Sequence, residues 1–263
     1  MIDFKKYSNP EIVGHIAAVM ASPQRAPMRI FKYGAIFALI GVAIGGLFVS
    51  FSERAIFAAI VLSVFVFCLL LFSGILFGAY SFLRELNNSF QSILEYTNQV
   101  VHLVAKDIGC SLESFKSGWE ESRIKLPSGN EIFSGVFQEV VNPAVVQSLG
   151  KISFLGKLVV KAYTHIVNVL LKISSAFFCK LDKEMDKVVN EKLDKAKKVG
   201  ELPLDFAEST ALKIWQPRIL NGSDKYIGKA KGYIRRIYFW LSLPTLALAS
   251  LSILAAVIFV IHG

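Results

Sequence analysis

The side chains that most often carry out chemistry in proteins are few in this sequence, and they are scattered. The four histidines stand apart from one another and from the cysteines: His15, His102, His165 and His262. The three cysteines form no CxxC pair: Cys68, Cys110 and Cys179. Zinc sites need such ligands at short, regular spacings, and no hydrolase, metalloprotease or nucleotide-binding motif occurs either. We therefore predict no catalytic residue, no metal, no cofactor and no enzymatic activity.

The chemistry that the sequence does offer is electrostatic, because basic residues recur beside apolar segments and the net charge is +9. Eight of these residues are predicted to contact lipid headgroups: Lys157, Lys161, Lys172, Lys225, Lys229, Lys231, Arg235 and Arg236. Each basic side chain near an anionic leaflet contributes about 1 kcal/mol of attraction. No motif that reads nucleic acid accompanies them. We therefore expect a bilayer with anionic headgroups as the partner, and no nucleic acid.

Two pairs of glycines occur at a spacing of four residues, Gly41 with Gly45 and Gly74 with Gly78. Small residues let helix backbones approach closely in lipid, where van der Waals packing drives association. The pairs either pack two neighbouring helices of this chain together or form the interface of a homo-oligomer. The first interpretation is favoured. Other membrane proteins are further candidate partners.

Three long apolar runs contain the glycine pairs or flank several of the basic residues, and they must position both. They cover residues 31–51, 55–82 and 237–261. A helix needs about 20 apolar residues to cross a bilayer, and each run is that long. Only Ser52, Glu53 and Arg54 separate the first two runs, so these are predicted to form a tight antiparallel hairpin. The third run follows Arg235 and Arg236 through an aromatic belt at residues 238–240, which is the usual order at a membrane interface.

The distribution of lysine and arginine predicts the orientation of these spans. Basic residues are concentrated before residue 33 and again in residues 225–236, whereas the hairpin turn carries only Arg54. Cytoplasmic segments carry the excess of such residues. The N-terminus and residues 83–236 are therefore predicted to be cytoplasmic, with the turn and the C-terminus on the far side. A bacterial inner membrane would fit this topology.

Residues 152–179 form a fourth apolar helix whose polar side chains follow one narrow stripe. A lysine at the centre of a membrane span costs about 2.5–3.5 kcal/mol, so Lys157, Lys161 and Lys172 oppose crossing. A helix lying in the membrane interface would satisfy both the apolar face and the lysines. Burial under neighbouring helices of the same domain is the competing alternative, and a true fourth span is disfavoured.

Several local signals predict how the central region is divided. A heptad-like seam should extend the second span as a stalk, which packs on the chain's own helices or, alternatively, self-associates: Leu86, Phe90, Ile93, Thr97, Val100 and Val104. Residues 109–130 are predicted to form a loop, after which Ser128 and Glu131 form a capping box. Helix breaks are expected at Asn142-Pro143 and between Pro217 and Gly222. Asn9-Pro10 should open a short surface helix.

Taken together, these patterns predict an all-α integral membrane protein. It has three transmembrane helices, an N-terminal hairpin plus one C-terminal span, and a helical cytoplasmic domain containing an amphipathic helix. The predicted divisions are an arm at 1–30, the hairpin at 31–82, the cytoplasmic domain at 83–236 and the last span at 237–263. We expect a non-enzymatic membrane scaffold or accessory subunit of a larger complex. The alternative is an oligomeric channel, transporter or secretion component packed through its glycine faces.

Overall fold

The computed structural model describes residues 4–7, 14, 16–19, 25–51, 56–114, 127–150, 156–197 and 204–262. Among these residues the chain is almost entirely helical and no strand occurs, which confirms the predicted all-α class. A 3₁₀ turn covers Phe4–Tyr7, and a π-helical segment covers Val136–Val141. The α-helices are α1 Ala26–Phe51, α2 Ile56–Ser114, α3 Gly129–Gly135, α4 Asn142–Gly150, α5 Gly156–Lys197 and α6 Leu204–His262.

Four helices are long and apolar enough to cross a membrane, judged by length and composition within the described residues. The stretches are Pro27–Leu47, Ile56–Gly109, Val160–Met185 and Leu212–Ile261. Three of them overlap the predicted spans. The remaining stretch, Val160–Met185, belongs to α5, the helix whose lysine stripe opposes crossing.

The described residues fall into two compact units. We call the one within residues 20–90 and 233–263 the apolar unit, and the one within residues 1–19, 91–150 and 154–232 the charged unit. Helices α2 and α6 contribute residues to both units. The helix predicted to begin at Asn9-Pro10 lies mostly outside the described residues, although residues 16–19 are helical and Ile16 is buried in the charged unit.

In the apolar unit, α1, α2 and α6 pack together through small and medium side chains. Val66, Leu70 and Ala256 form its buried cluster. Hydroxyl groups add contacts to backbone carbonyls: Ser63 Oγ donates to Gly45 O at 3.1 Å, and Ser73 Oγ donates to Ala249 O at 3.4 Å. The Phe65 and Phe259 rings meet edge to face with centroids 4.8 Å apart. Arg29 and Glu85 form an ion pair between α1 and α2.

The charged unit is built around large side chains. The largest fully buried ones include Trp215, Tyr226, Phe133 and Phe178. The ring of Phe133 meets Tyr226 edge to face at 4.7 Å and lies 5.6 Å from Phe178. Two polar side chains of this core bond to backbone carbonyls: Tyr226 Oη donates to Leu170 O at 2.6 Å, and Trp215 Nε1 donates to Pro127 O at 2.9 Å. Burial of such aromatic surface is the main stabilising contribution.

The predicted continuation of the second apolar run as a helix is confirmed, since α2 is unbroken from Ile56 to Ser114. Its heptad-like seam is buried from Phe90 to Val104, and Thr97 Oγ1 donates to Ile93 O at 2.8 Å. The seam is therefore covered by the chain's own residues, as the favoured alternative predicted. The predicted loop is wrong for residues 109–114, which form the helical end of α2; residues 115–126 are outside the described set.

The Ser128 half of the predicted capping box is confirmed, because Ser128 Oγ accepts a hydrogen bond from Glu131 N at 3.0 Å. The break predicted at Asn142-Pro143 is wrong. The backbone stays helical from Gly129 to Gly150, and Asn142 N donates to Phe137 O in the wider π-helical pattern. Pro143 lacks an N–H, and it stands where the hydrogen bonding changes from the π pattern to the α pattern. The π-helical segment thus carries the chain past this proline without a break.

The break predicted between Pro217 and Gly222 is also wrong, since α6 runs continuously through it. Gly222 serves a close approach and not a turn. A Cβ atom there would lie 2.4 Å from Leu181 Cδ2 of α5. The glycine therefore lets α5 and α6 pack closely, a role that local turn statistics cannot reveal.

Candidate functional site

Helix α5 has three faces in the charged unit. Its inner seam is buried and meets α3 and α4: Tyr163, Val167, Leu170, Ser174 and Phe178. Its outer seam, at alternating steps of four and three, is exposed or half-buried: Ala162, Ile166, Val169, Ile173 and Ala176. One residue before each of the first four outer-seam positions stands a polar side chain: Lys161, His165, Asn168 and Lys172. The outer seam is thus an apolar strip bordered by a basic polar stripe.

The structure describes the surroundings of all eight basic residues that were predicted to contact headgroups. Seven are exposed, namely Lys157, Lys161, Lys172, Lys225, Lys229, Arg235 and Arg236. The eighth, Lys231, is half-buried and forms an ion pair with Glu95 of α2. Lys231 is therefore held inside the charged unit by a carboxylate.

A groove of about 410 Å³ lies between α5 and α6 in the charged unit. We call it the basic groove. Its α5 wall consists of Phe177, Lys180, Leu181 and Glu184, and its α6 wall consists of Arg218, Asn221, Gly222, Lys225 and Lys229. Four cationic side chains and one carboxylate therefore line it. Since like charges in one concavity repel each other, this lining favours an anionic occupant.

Two of the cations in the basic groove are held in place. Arg218 Nη1 donates to Glu184 O at 3.2 Å. Lys229 Nζ lies over the Phe177 ring, 5.2 Å from its centroid, in cation–π geometry. Among the described residues, none of Lys180, Lys225, Lys229 and Arg218 is within ion-pairing distance of a carboxylate. Elsewhere in the charged unit, by contrast, Lys6 pairs with Asp107 and Lys187 with Glu191, at 3.6 and 3.9 Å.

Sequence reasoning identified only half of this cation set. Lys225 and Lys229 were predicted as headgroup contacts, whereas Lys180 and Arg218 were missed. The predicted break after Pro217 removed Arg218 from any helix face. On an uninterrupted helix, Arg218, Gly222, Lys225 and Lys229 follow steps of four, three and four, and that spacing is the signal that would have found them.

The four glycines of the two spaced pairs all lie in the contact between α1 and α2. A Cβ atom at Gly78 would lie 2.6 Å from Ile30 Cα, and one at Gly74 would lie 2.7 Å from Tyr33 O. The corresponding distances are 3.0 Å from Gly45 to Ser63 Cβ and 3.1 Å from Gly41 to Phe67 Cα. The hairpin itself therefore requires these small residues.

The structure describes the side chains of two histidines and two cysteines, namely His102, His165, Cys68 and Cys179, and it does not bring these four together. Nε2 of His102 lies 3.1 Å from Asp224 Oδ1, and His165 is exposed on α5. Cys68 and Cys179 are exposed thiols. Within the described ranges, no three histidine, cysteine or carboxylate side chains are close enough to hold a metal ion. His15 is outside those ranges.

The N-terminal turn adds one polar cluster to the charged unit. Tyr7 Oη donates to Asp107 Oδ2 at 3.0 Å, and burial, more than the nearby carboxylate, raises the pKa of this phenol above its ordinary value. The protonated Tyr7 hydroxyl thus acts as a hydrogen-bond donor that attaches the turn to α2.

The geometry as a whole offers two surfaces with defined chemistry, the outer seam of α5 with its basic border and the basic groove. Both favour negatively charged partners. In comparisons with known proteins, the chain matches no family model, no curated protein and no solved structure.

Proposed function

We propose that this protein is a non-enzymatic membrane scaffold or accessory subunit whose charged unit contacts anionic lipid through the outer face of α5. Residues 31–51, 55–82 and 237–261 are its three transmembrane spans. The N-terminus and the charged unit are cytoplasmic, and the C-terminus is on the far side. The excess of lysine and arginine in the flanking segments supports this orientation.

The observation that carries the proposal is the arrangement of the outer seam of α5. Ile173, the fourth of the five residues of the strip, is 41% exposed although it is a large apolar side chain. Lys161 and Lys172 border the strip on one side, and both are exposed. An apolar strip bordered by lysines is the pattern of helices that lie in the headgroup region, with apolar side chains in the acyl boundary and cations on the phosphates.

The same face argues against a fourth span. A transmembrane α5 would place Lys161 and Lys172 in the hydrocarbon, at about 2.5–3.5 kcal/mol each near the centre. Its inner seam, moreover, is already covered by α3 and α4. A helix that is buried on one side and amphipathic on the other is better suited to a membrane surface than to the bilayer interior.

The oligomeric channel or secretion component remains the second candidate, but no specific observation favours it. Its support in the sequence was the two glycine pairs. Because Gly41, Gly45, Gly74 and Gly78 lie in the contact between α1 and α2, the hairpin accounts for them without a second copy.

The test uses the full chain in nanodiscs of neutral phosphatidylcholine and in nanodiscs that also contain phosphatidylglycerol. Lysine acetylation followed by mass spectrometry measures the accessibility of each amine. With the anionic lipid, we expect acetylation of Lys161 and Lys172 to fall about threefold or more, since each amine gains about 1 kcal/mol from the headgroups. Lys187, which is exposed and paired with Glu191, is the internal control and should not change.

A matched pair of variants separates the apolar strip from simple charge attraction. Ile173→Asn removes the apolar contact without altering charge, and it should reduce the protection of Lys172. Leu103→Asn, at a comparably exposed apolar position of α2, should leave that protection unchanged. Equal acetylation of Lys161 and Lys172 in both lipids would reject the proposal.

A further inference from the structure

We infer that the basic groove binds a phosphate group that carries at least two negative charges, as a phosphate monoester or a diphosphate does. Its source is a soluble phosphorylated molecule or a phosphomonoester lipid headgroup. The inference goes beyond the proposed function, because the groove lies between α5 and α6, C-terminal to the outer seam on α5, and its cations can take a soluble phosphate without a bilayer. It also reassigns Lys225 and Lys229, which line this concavity.

Charge balance is the first argument. Lys180, Arg218, Lys225 and Lys229 line the groove, and Glu184 is the single carboxylate among its described lining residues, which gives those residues a formal surplus of three positive charges. In the part of the chain that the structure describes, no carboxylate pairs with these four cations. Lys231, only two residues beyond Lys229, is paired with Glu95. The chain therefore neutralises a neighbouring lysine but leaves the groove cationic, so an anion of two or more charges would stabilise it.

The geometry of the donors is the second argument. The guanidinium of Arg218 has five N–H donors in a planar fork, and Nη1 is held by the carbonyl of Glu184. That contact orients the fork in advance, which reduces the conformational entropy lost on binding. The cation–π contact with Phe177 restrains Lys229 in the same way. An oriented guanidinium combined with flexible ammonium groups suits tetrahedral phosphate oxygens.

The dimensions and the remaining lining define the ligand further. A volume of about 410 Å³ is within the usual range for sites that enclose a small molecule. Phe177 and Leu181 supply an apolar wall, and Glu184 supplies an acceptor. A hydroxyl or ammonium group next to the phosphate would satisfy that acceptor. The groove thus fits a phosphate ester with a small polar organic part better than it fits a bare polyanion.

The test measures binding of inorganic pyrophosphate to the full chain in phosphatidylcholine nanodiscs by calorimetry at constant ionic strength. We expect saturable binding with one site per chain. Lys180→Gln combined with Lys225→Gln should raise Kd about tenfold or more, as expected when charged hydrogen bonds are lost. The matched control, Lys183→Gln with Lys213→Gln, removes one exposed lysine from each of the same two helices outside the groove, and it should leave Kd within about twofold.

Two further measurements keep the outcome decisive. Arg218→Lys keeps the positive charge but loses the planar fork of N–H donors, so it should also weaken pyrophosphate binding. It takes the place of the double variant if that variant fails to fold. Nanodiscs with phosphatidic acid are compared with nanodiscs holding the same fraction of phosphatidylglycerol. If phosphatidic acid protects Lys180 and Lys225 from acetylation and phosphatidylglycerol does not, the lipid is identified as the source of the phosphate. Pyrophosphate binding would identify a soluble ligand.

The inference is overturned if neither probe engages the groove, or if the groove variants and the matched control bind pyrophosphate equally. This result is distinguishable from failure of the proposed function. That function is read from Lys161 and Lys172 in phosphatidylglycerol, whereas the pyrophosphate experiment contains no anionic lipid.

Discussion

Large apolar side chains occupy opposite positions in the two units. In the apolar unit they face outward, as Phe31 and Phe57 do at 78% and 79% exposure, while Ala59, Ala249 and Ala256 are buried between the helices. In the charged unit the interior holds Trp215 and Phe133 and their neighbours. An exposed apolar shell of this extent is stable only in apolar surroundings, whereas the charged unit follows the ordinary burial expected in water. The burial pattern of the apolar unit is therefore compatible with a membrane, and that of the charged unit is typical of proteins in water.

Glycines show the same contrast. In the apolar unit the nearest atoms to a Cβ at Gly74 or Gly78 are backbone atoms, the carbonyl oxygen of Tyr33 and the Cα of Ile30. In the charged unit, a Cβ at Gly129 or Gly222 meets the ends of side chains, Phe178 Cδ1 and Leu181 Cδ2. Lipid offers no hydrophobic drive for helix association, so close backbone contact must supply it. In the charged unit the glycines instead make room for large side chains whose burial supplies the stability.

The largest expected effect comes from removing a buried ring of the charged unit. Phe133→Ala should destabilise this unit by about 3–5 kcal/mol, because it leaves a cavity among Phe178, Tyr226 and Phe137. Hydrogen exchange of residues 129–150 in nanodiscs measures the loss. Phe57→Ala, at an outward position of the apolar unit, should change that exchange by less than about 0.5 kcal/mol. Similar losses in the two variants would contradict the difference in solvent drawn above.

The next effect is expected in the hairpin. Gly78→Leu should destabilise the apolar unit by about 1–3 kcal/mol, because the new side chain collides with the backbone of Ile30. Gly46→Leu is the control, since no described atom lies within 4 Å of a Cβ built there. The SDS mole fraction at the unfolding midpoint in mixed micelles measures both. A shift for Gly46→Leu as large as that for Gly78→Leu would show that these glycines do not form the packing contact.

The smallest expected effect is the change in the free energy of unfolding when a glycine of α6 is replaced by alanine, and its sign should differ between two positions. Gly228→Ala should stabilise the charged unit by about 0.5–1 kcal/mol, because alanine favours the helix and the site is open within the described structure. Gly222→Ala should not stabilise it, since Leu181 Cδ2 must first move away. Thermal unfolding monitored by circular dichroism compares the two. A gain at Gly222 equal to that at Gly228 would mean that α5 and α6 are not closely packed there.

Features that depend on local chemistry could be predicted from the sequence. The Ser128 cap needs only a hydroxyl three residues before an available N–H, and it forms as expected. The continuation of α2 beyond the second apolar run was predicted from the spacing of its buried seam, which holds through Val104. In both cases the determining residues are within one or two turns of each other.

The two failed predictions of helix breaks concern residues that can play either of two roles. Pro143 and Pro217 can end a helix or lie within one, and Gly222 can form a turn or admit a neighbour. Local sequence contains no information about Leu181, which lies 41 positions earlier and determines the role of Gly222. The basic groove was missed for the same reason. Lys180 and Arg218 become neighbours only when α5 and α6 pack together and α6 stays unbroken.

The sequence by itself determined the all-helical class, the long apolar helices and the basic stripe of α5, because hydrophobic length, helical spacing and charge are properties of short segments. Only the tertiary structure decided which seam of α5 is buried, that the spaced glycines lie inside the hairpin, and that four cations line one groove. Those outcomes depend on side chains far apart in the chain competing for the same space. Close packing of the helices decides which of these side chains are buried, and this outcome cannot be predicted from the pattern of a short segment.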